Sequence, residues 1–583
     1  MAKLKRFNNV YGVAIFLIAL NLKVEPLKSQ IVTVSQLPER DIPTVPQPTQ
    51  VPSPLPFRRE PLLTPSSPKP PTPEILNQEY YPTRARVKKI IFEGNTVFSD
   101  RQLETLLAPY TRREITFAEL LQARAEVTKL YVDRGYISSG ALVPLIGNQS
   151  IRPNEGVVVT IQIVEGKLEA INIGGSDRLQ NYVRSRLKVA TSPVLNNERL
   201  EEALRLLQSD PLIETISAQL NAGSRVGETL LEVQVKERQP FRVNTALDNE
   251  RSPAVGTFQR SVELSHTNLL GFGDGLGLSY RNTEGSNGIQ TSYSLPVNPQ
   301  NGTVQFSYAD ISSNIVERPF SQLDIISDAR SYELTFRQPL LRKASAEATK
   351  EFALGLTATR AESETSLLDT PFPLSAGADD QGRTRISAVR FFQEWNQRSN
   401  KEVLFVRSQF SLGINAFNAT VNENAPDSRF FAWRGQTAWL RRLGDTTLVL
   451  RADLQLADRA LVPLEQISFG GVTTVRGYRQ DALLSDNGIL ASAELRIPVF
   501  SGQSGGLQVI PFVDIGTAWN SSDDESTLDP GTLASVGLGL QYQLGERFTA
   551  RLDWGIPLIP LDNSSSNSWQ ENGLHFSLRY QPF

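Results

Sequence analysis

The stretch Leu448-Val-Leu-Arg-Ala-Asp-Leu-Gln-Leu456 carries leucine or alanine at every second position, with valine, arginine, aspartate and glutamine between them. Successive side chains of a β-strand point to opposite faces of the sheet, so this pattern predicts a strand with one apolar and one largely polar face. The same alternation recurs at residues 489–497, 536–543 and 548–556. Helical periodicity is absent from about residue 241 to residue 583, and this region is therefore predicted to be all-β.

Such a region could form a soluble sandwich or a membrane barrel, and three features favour the barrel. The region is too long for one sandwich, its polar faces carry many charges that suit a water-filled lumen, and the N-terminus resembles an export signal. In a bilayer every backbone group must be hydrogen-bonded, which a closed barrel achieves. Because bacterial barrels have even strand numbers, roughly 20 residues per strand and connection predict a 16-stranded antiparallel membrane β-barrel over residues 239–583.

The export signal lies in the first 30 residues. Three basic side chains, Lys3, Lys5 and Arg6, precede an apolar run at 11–22. The run is shorter than the ~20 residues that span a bilayer as a helix, and a basic segment before a short apolar one is typical of a secretory signal. Residues 1–30 are therefore predicted to be a signal peptide, and an uncleaved anchor is the alternative.

A proline-rich segment follows at residues 31–84, since 14 of the 36 prolines lie between residues 38 and 82. Proline fixes φ and lacks a backbone N–H donor. The segment is therefore predicted to be an extended, polyproline-II-like linker that forms neither a helix nor a sheet ladder. A proline-rich ligand for a binding domain is the alternative interpretation.

Composition excludes several classes of function. The chain has 59 basic and 62 acidic side chains and a net charge of −3, which argues against a nucleic-acid-binding protein. There is no cysteine and there are only two histidines, His266 and His575, which excludes a disulfide framework, a thiolate metal site and a multi-histidine metal centre. The glycine-rich run 271–277 lacks the spacing of a dinucleotide-binding loop. We therefore predict no enzymatic activity, no catalytic residues, no metal and no cofactor.

Residues 85–165 and 166–238 form two consecutive copies of one small α+β pattern. In the first copy a strand at 87–92 precedes a short helix, and a second helix begins at a capping box formed by Thr116 and Glu119. Two further strands end the copy. The predicted order of elements is therefore β-α-α-β-β.

The second copy repeats this order. A strand at 168–173 is followed by a helix at 178–187, and Asn197 caps a further helix with a leucine-rich face. Two strands near 213–220 and 229–235 complete the copy. Each copy is predicted to be a sheet covered on one face by helices, with a sheet edge that can accept another strand. A pair of structural spacers remains the alternative.

Two short motifs stand out within the barrel region. Val475-Arg-Gly-Tyr478 follows Phe469-Gly-Gly471, and Phe512-Val-Asp-Ile-Gly516 lies on a later strand. With both motifs, two modules and the barrel length in this order, residues 85–583 resemble the two-partner secretion transporters. This is the TpsB or ShlB/FhaC/HecB family of haemolysin secretion/activation proteins, within the superfamily of barrel-assembly insertases. The resemblance implies that the two modules are POTRA domains in front of a sixteen-stranded outer-membrane barrel.

The resemblance also implies a role for the two motifs. The loop-tip motif consists of Val475, Arg476, Gly477 and Tyr478, and the wall motif consists of Phe512, Asp514 and Gly516. The first would form the tip of an outer loop that folds back into the lumen, where Arg476 would meet Asp514. An arginine fork can pair with a carboxylate through two hydrogen bonds, so this contact would lock the loop to the wall.

By the same resemblance the protein is expected in the outer membrane, in contact with its lipid, with the POTRA domains in the periplasm. It would be a monomeric pore that secretes or activates a TpsA-like exoprotein, whose N-terminal secretion domain docks on a POTRA sheet edge. The alternatives are an outer-membrane protein assembly insertase, which usually has more such modules, and a passive porin, which has none. The family usually begins with a plug helix, and here only residues 24–37 or 73–80 could form one.

Overall fold

The computed structural model of the protein describes residues 62–65, 84–143, 157–423, 426–502, 505–521, 528, 531–561 and 568–582. The predicted signal peptide lies outside the described residues, as do both segments that could form a plug helix and most of the linker. The described residues form a pair of α+β modules and a closed barrel. In this part of the chain no helix has the length and apolarity to cross a membrane.

The first module is a four-stranded sheet with two helices. After a short strand β1 (Leu63–Pro65), its elements are β2 (Arg84–Glu93), α1 (Asp100–Leu106), β3 (Glu114–Thr116), α2 (Phe117–Asp133), β4 (Gly140–Leu142) and β5 (Val157–Val164). The sheet order is β3-β2-β5-β4, with β2 and β5 parallel. The predicted order β-α-α-β-β lacks only β3, which pairs with the first residues of β2. Helices and sheet share one core that includes Leu103, Val127 and Ile161.

The predicted capping box at the start of α2 is confirmed. The Glu119 carboxylate accepts a hydrogen bond of 2.7 Å from the Thr116 N–H, and the Thr116 hydroxyl accepts one of 3.2 Å from the Glu119 N–H. The backbone hydrogen bond from Thr116 and the bond from the Arg113 guanidinium lower the pKa of Glu119 to about 2. The carboxylate therefore stays charged and keeps the helix start closed well into the acidic range.

The second module has the same arrangement. Its elements are β6 (Lys167–Gly174), α3 (Gln180–Thr191), α4 (Asn197–Gln208), β7 (Ile213–Ala222) and β8 (Glu228–Glu237). The prediction that Asn197 caps α4 is wrong by one residue. Asn196 has the extended backbone of a cap, and its side chain accepts from the N–H groups of Glu198 and Arg199 at 3.0 and 3.1 Å. Asn197 is already the first helical residue.

The prediction that the linker forms no sheet ladder is also wrong. Strand β1 lies parallel to β7, so the sheet order of the second module is β1-β7-β8-β6. Leu62 and Leu63 are buried in the core of this module, and the Leu62 carbonyl accepts a 3.0 Å hydrogen bond from the Ala218 N–H. Between two prolines the segment retains enough N–H donors and apolar side chains for a short edge strand, where proline is tolerated.

The barrel contains sixteen antiparallel strands, as predicted. They are β9 (Phe241–Asp248), β10 (Gln259–Thr267), β11 (Gly275–Asn282), β12 (Ser286–Pro296), β13 (Thr303–Asn314), β14 (Ile325–Ala344), β15 (Ala348–Leu367) with its extension β16 (Thr370–Pro371), β17 (Arg383–Ser399), β18 (Glu402–Gly413), β19 (Phe431–Leu443) and β20 (Thr446–Ala457), then, after the hairpin β21 (Ile467–Phe469) and β22 (Leu483–Ser485), β23 (Asn487–Ser501), β24 (Gly505–Trp519), β25 (Thr532–Leu544), β26 (Phe548–Pro557) and β27 (Leu574–Tyr580). Strand β27 pairs with β9 and closes the barrel.

The predicted alternation gives the barrel an apolar outer surface. Along β23, Ile489 is exposed, whereas Ser492 and Glu494 are buried on the lumen side. The chain enters the barrel from the second module, so connections between strands lie alternately on the far side and on the module side. The turn after β10 lies on the module side, since Arg178 of the second module contacts it. By the same count the connection between β20 and β23 begins on the far side.

Candidate functional site

The connection between β20 and β23, residues 458–486, folds into the barrel, and we name it the lumen loop. Its hairpin of β21 and β22 presents Phe469, Val475 and Tyr478 to one apolar cluster. That cluster also contains Leu490 of β23 and Ala518 of β24. The loop is thus packed against the inner wall of the barrel.

An ion pair joins the tip of the lumen loop to the wall. Arg476 Nε lies 2.7 Å from Asp514 Oδ2, and Arg476 Nη2 lies 2.8 Å from Asp514 Oδ1. The Arg476 backbone N–H donates to the same carboxylate at 3.1 Å. The exposed fraction is 2% for Arg476 and 0% for Asp514, so water does not compete for these bonds. A bidentate, buried pair of this kind is directional and costly to break on one side only.

Other wall residues complete the site of Arg476. Its guanidinium carbon lies 3.6 Å from the centre of the Phe512 ring, close enough for a cation–π contact. The Ser492 hydroxyl donates to Asp514 at 2.6 Å and fixes the carboxylate. Arg476 Nη1 also reaches Glu494 at 3.1 Å. The guanidinium is therefore held from several directions in one orientation.

Glycines let the loop tip approach the wall closely. Gly477 has φ of +93°, and a Cβ there would lie 2.9 Å from the backbone of Gly555 in β26. A Cβ on Gly516 would lie 2.5 Å from Phe469. In the same loop-tip motif, the Tyr478 hydroxyl lies 2.8 Å from the carbonyl oxygens of Ala534 and Ile559 and can donate to either. All of the predicted site residues are thus brought together in one place.

Sequence reasoning missed a group of charged residues around this pair. Glu494 also pairs with Arg496 at 2.6 Å and with Arg551 at 3.3 Å, and Arg551 pairs with Asp553 at 2.7 Å. These side chains lie on the polar faces of two alternating stretches, so alternation alone places them in the lumen. Their mutual contact depends on the register between strands, which a single sequence does not reveal.

Two further attachments hold the lumen loop. Near its beginning, Glu465 pairs with Arg390 of β17 through contacts of 2.7 and 3.0 Å, and both side chains are buried. After the tip, Arg479 pairs with Glu317 at 2.7 Å and with Glu571 at 3.4 Å. Because β17 is the eighth barrel strand and β24 the thirteenth, the loop connects separate parts of the wall across the lumen. Among the described residues no group of acidic and histidine side chains could hold a metal ion.

Fold and site together define the class of protein. A closed barrel with an apolar outer surface and α+β modules in front of it has the architecture of an outer-membrane barrel with periplasmic modules. Residues 227–542 match the family profile of haemolysin secretion/activation proteins ShlB/FhaC/HecB, and residues 85–166 match the ShlB-type POTRA domain. The chain belongs to this family, and it is an outer-membrane protein with periplasmic POTRA domains.

Relatives match along most of their length. The chain is 22% identical over 457 residues to the outer membrane transporter CdiB of Dickeya dadantii strain 3937, covering 76% of this chain and 77% of the relative. It is 21% identical over 503 residues to the heme/hemopexin transporter protein HuxB of Haemophilus influenzae strain 86-028NP, covering 82% and 84%.

Solved structures share the fold. The structure of CdiB from Escherichia coli matches with a TM-score of 0.64 and 21% identity, covering 88% of this chain and 94% of that one. BamA from Haemophilus ducreyi without its POTRA domains 1–3 matches with a TM-score of 0.51 and 15% identity, covering 85% and 100%.

Proposed function

We propose that this protein secretes a cognate exoprotein across the outer membrane by two-partner secretion, as a monomeric pore. The observation that carries the proposal is a lumen loop held by buried ion pairs inside a barrel that is preceded by two α+β modules. A passive porin has no need of docking modules. The insertase alternative is not favoured, because the relatives matched over most of their length are transporters.

The lumen loop would act as a plug that yields to the exoprotein. Arg476 contacts β23 and β24, and Glu465 contacts β17, so an extended chain can pass only when part of the loop moves. Both anchors are ion pairs, and arginines and carboxylates that line the lumen can exchange partners with one another. No nucleotide is available in the periplasm, so folding of the emerging exoprotein would supply the direction of transport.

The second module offers the edge on which the exoprotein would dock. Strand β8 pairs with β7 on one side from Ile213 to Ala222, whereas on the other side β1 covers only Ala218–Leu220. Strand addition draws affinity from main-chain hydrogen bonds and selectivity from pockets for alternate side chains. We propose that a strand of the secretion domain replaces residues 63–65 beside β7 and takes over the pocket that Leu62 and Leu63 fill.

Tethering β1 to β7 is expected to block secretion reversibly. Thr64 and Gln219 are register partners in the two strands, and the chain contains no cysteine. The double substitution Thr64→Cys with Gln219→Cys therefore allows one defined disulfide. Secretion should be low while the disulfide is formed and should recover after mild reduction, measured as exoprotein in the medium. Each single cysteine variant is the control, and undiminished secretion by the fully oxidised double variant would exclude this edge as the docking site.

A further inference from the structure

The turn at Asn268–Asp274, between β10 and β11, exposes large apolar side chains on the module side of the barrel. The exposed fraction is 38% for Leu269, 63% for Leu270 and 65% for Phe272. We name residues 268–274 the rim turn. Clustered apolar side chains on a surface mark a contact with another apolar phase or partner.

Internal hydrogen bonds stabilise the rim turn in a conformation that points these side chains outward. Asp274 is buried, and its carboxylate accepts hydrogen bonds from the N–H of Leu270 at 2.9 Å and from the Tyr293 hydroxyl at 3.0 Å. The Asn268 side chain accepts a bond of 2.9 Å from the Gly273 N–H. The leucines and the phenylalanine of the turn could fold back onto the barrel only if these internal hydrogen bonds were broken.

The exposed side chains continue the lipid-facing surface of the barrel. Leu276, Leu278 and Tyr280 follow directly on β11 and are all exposed on its outer face. Strands β10 and β11 contain only nine and eight residues. At the usual tilt such strands rise roughly 20 Å, whereas the apolar band of an outer-membrane barrel is about 25 Å tall. The rim turn therefore lies where the wall alone is too short to complete the band.

The same turn also contacts the second module. The Arg178 guanidinium donates to the carbonyl of Asn268 and, at 3.0 Å, to that of Leu269. The Asn268 side chain donates to Glu237 at 3.0 Å. A Cβ on Gly273 would lie 2.4 Å from the ring of Tyr182 in α3, so the turn and the helix are in close contact. Because of these contacts, a change in the position of the rim turn would also move the second module, which contains β7.

The geometry points to the rim turn as a membrane anchor that inserts Leu270 and Phe272 into the periplasmic leaflet of the outer membrane. The partner is the phospholipid of that leaflet, chosen because the surface is continuous with the lipid-facing band. The turn would insert into the bilayer and at the same time contact the second module. It would thereby fix the distance of β7 from the membrane. This inference depends on the outer-membrane location and not on secretion.

A single spin label tests the anchor, since the chain has no native cysteine. Phe272→Cys is labelled and the full chain is reconstituted into phosphatidylethanolamine–phosphatidylglycerol vesicles. Collisions with molecular oxygen, which enriches in lipid, are compared with those of a water-soluble nickel chelate. Asp445→Cys, in another exposed module-side turn, is the matched control. The label at 272 should favour oxygen over nickel, whereas the control should favour nickel.

Two further results keep the test decisive. Leu270→Cys should give the same lipid signature, which guards against a folding defect peculiar to the Phe272 variant. Equal nickel access at 272 and 445 would overturn the anchor. The anchor would also be overturned if the label at 272 became protected from the nickel chelate only after an exoprotein is added. The surface would then be a protein-docking site rather than a lipid contact.

Discussion

Replacing Arg476 by alanine is expected to lower secretion about tenfold or more, while the barrel still assembles in the outer membrane. Asp514 is fully buried and is bonded by the Arg476 side chain, the Arg476 backbone and Ser492. Removing the guanidinium leaves this carboxylate without its cation, at a cost of ~3–5 kcal/mol for a buried charge. The loop tip should detach, and the variant should show altered single-channel conductance together with reduced exoprotein in the medium.

The Arg496→Ala variant is the matched control for this prediction. Arg496 bonds to Glu494 on its own strand, so its loss removes a lumen charge while leaving the loop contact intact. We expect it to secrete nearly normally. Arg476→Lys should restore secretion only in part, because an ammonium group cannot reproduce the two-pronged contact with Asp514.

Exchanging the two charges tests whether Arg476 and Asp514 interact directly. Arg476→Asp combined with Asp514→Arg restores the attraction but places the new loop carboxylate beside Glu494, so recovery over either single change should be partial. In a cycle of alanine variants the coupling between the two positions should be ~1 kcal/mol or more, measured from urea unfolding of the folded barrel. Additive, independent defects would show that the pair does not act as a lock.

Removing residues 86–238 is expected to abolish secretion altogether. Strand β9 starts at Phe241 and takes both of its ladder partners, β10 and β27, from the barrel itself. The barrel can therefore close without the modules, whereas the exoprotein loses its docking edge. Exoprotein in the medium is the readout, and the shift in gel migration on heating checks that the barrel is folded.

A less drastic variant controls for damage to the barrel mouth. Arg178→Ala removes hydrogen bonds between the second module and the rim turn but keeps both modules, and it should secrete far better than the deletion. Normal secretion by the deletion variant would contradict the docking role of the modules.

Signals that repeat along the chain predicted most of the fold. Alternation at 448–456 and its recurrences placed the barrel strands, because side-chain direction in a strand depends only on position. The capping box at Thr116 placed the start of α2, since that interaction is local. The contact between the loop-tip and wall motifs is predicted by the resemblance to the family and not by any repeating pattern.

Features that depend on long-range pairing could not be predicted in this way. Glu494 and Arg551 meet because the register of four neighbouring strands, β23 to β26, aligns them. Glu465 meets Arg390 only through the path of the lumen loop. Strand β1 was missed because the surrounding prolines dominate the local pattern, while the burial of Leu63 depends on a module about 150 residues later in the chain.

The central claim is that the chain secretes a dedicated exoprotein, and comparison of three strains tests it most directly. Proteins in the medium and in the outer membrane are quantified by mass spectrometry for the parent bacterium, a strain lacking this protein and the complemented strain. The account predicts that one exoprotein, or a small set, is absent from the medium of the deletion strain and present again after complementation. The amounts of other outer-membrane barrels should stay normal. An unchanged medium, or a general loss of outer-membrane barrels as expected for an insertase, would contradict it.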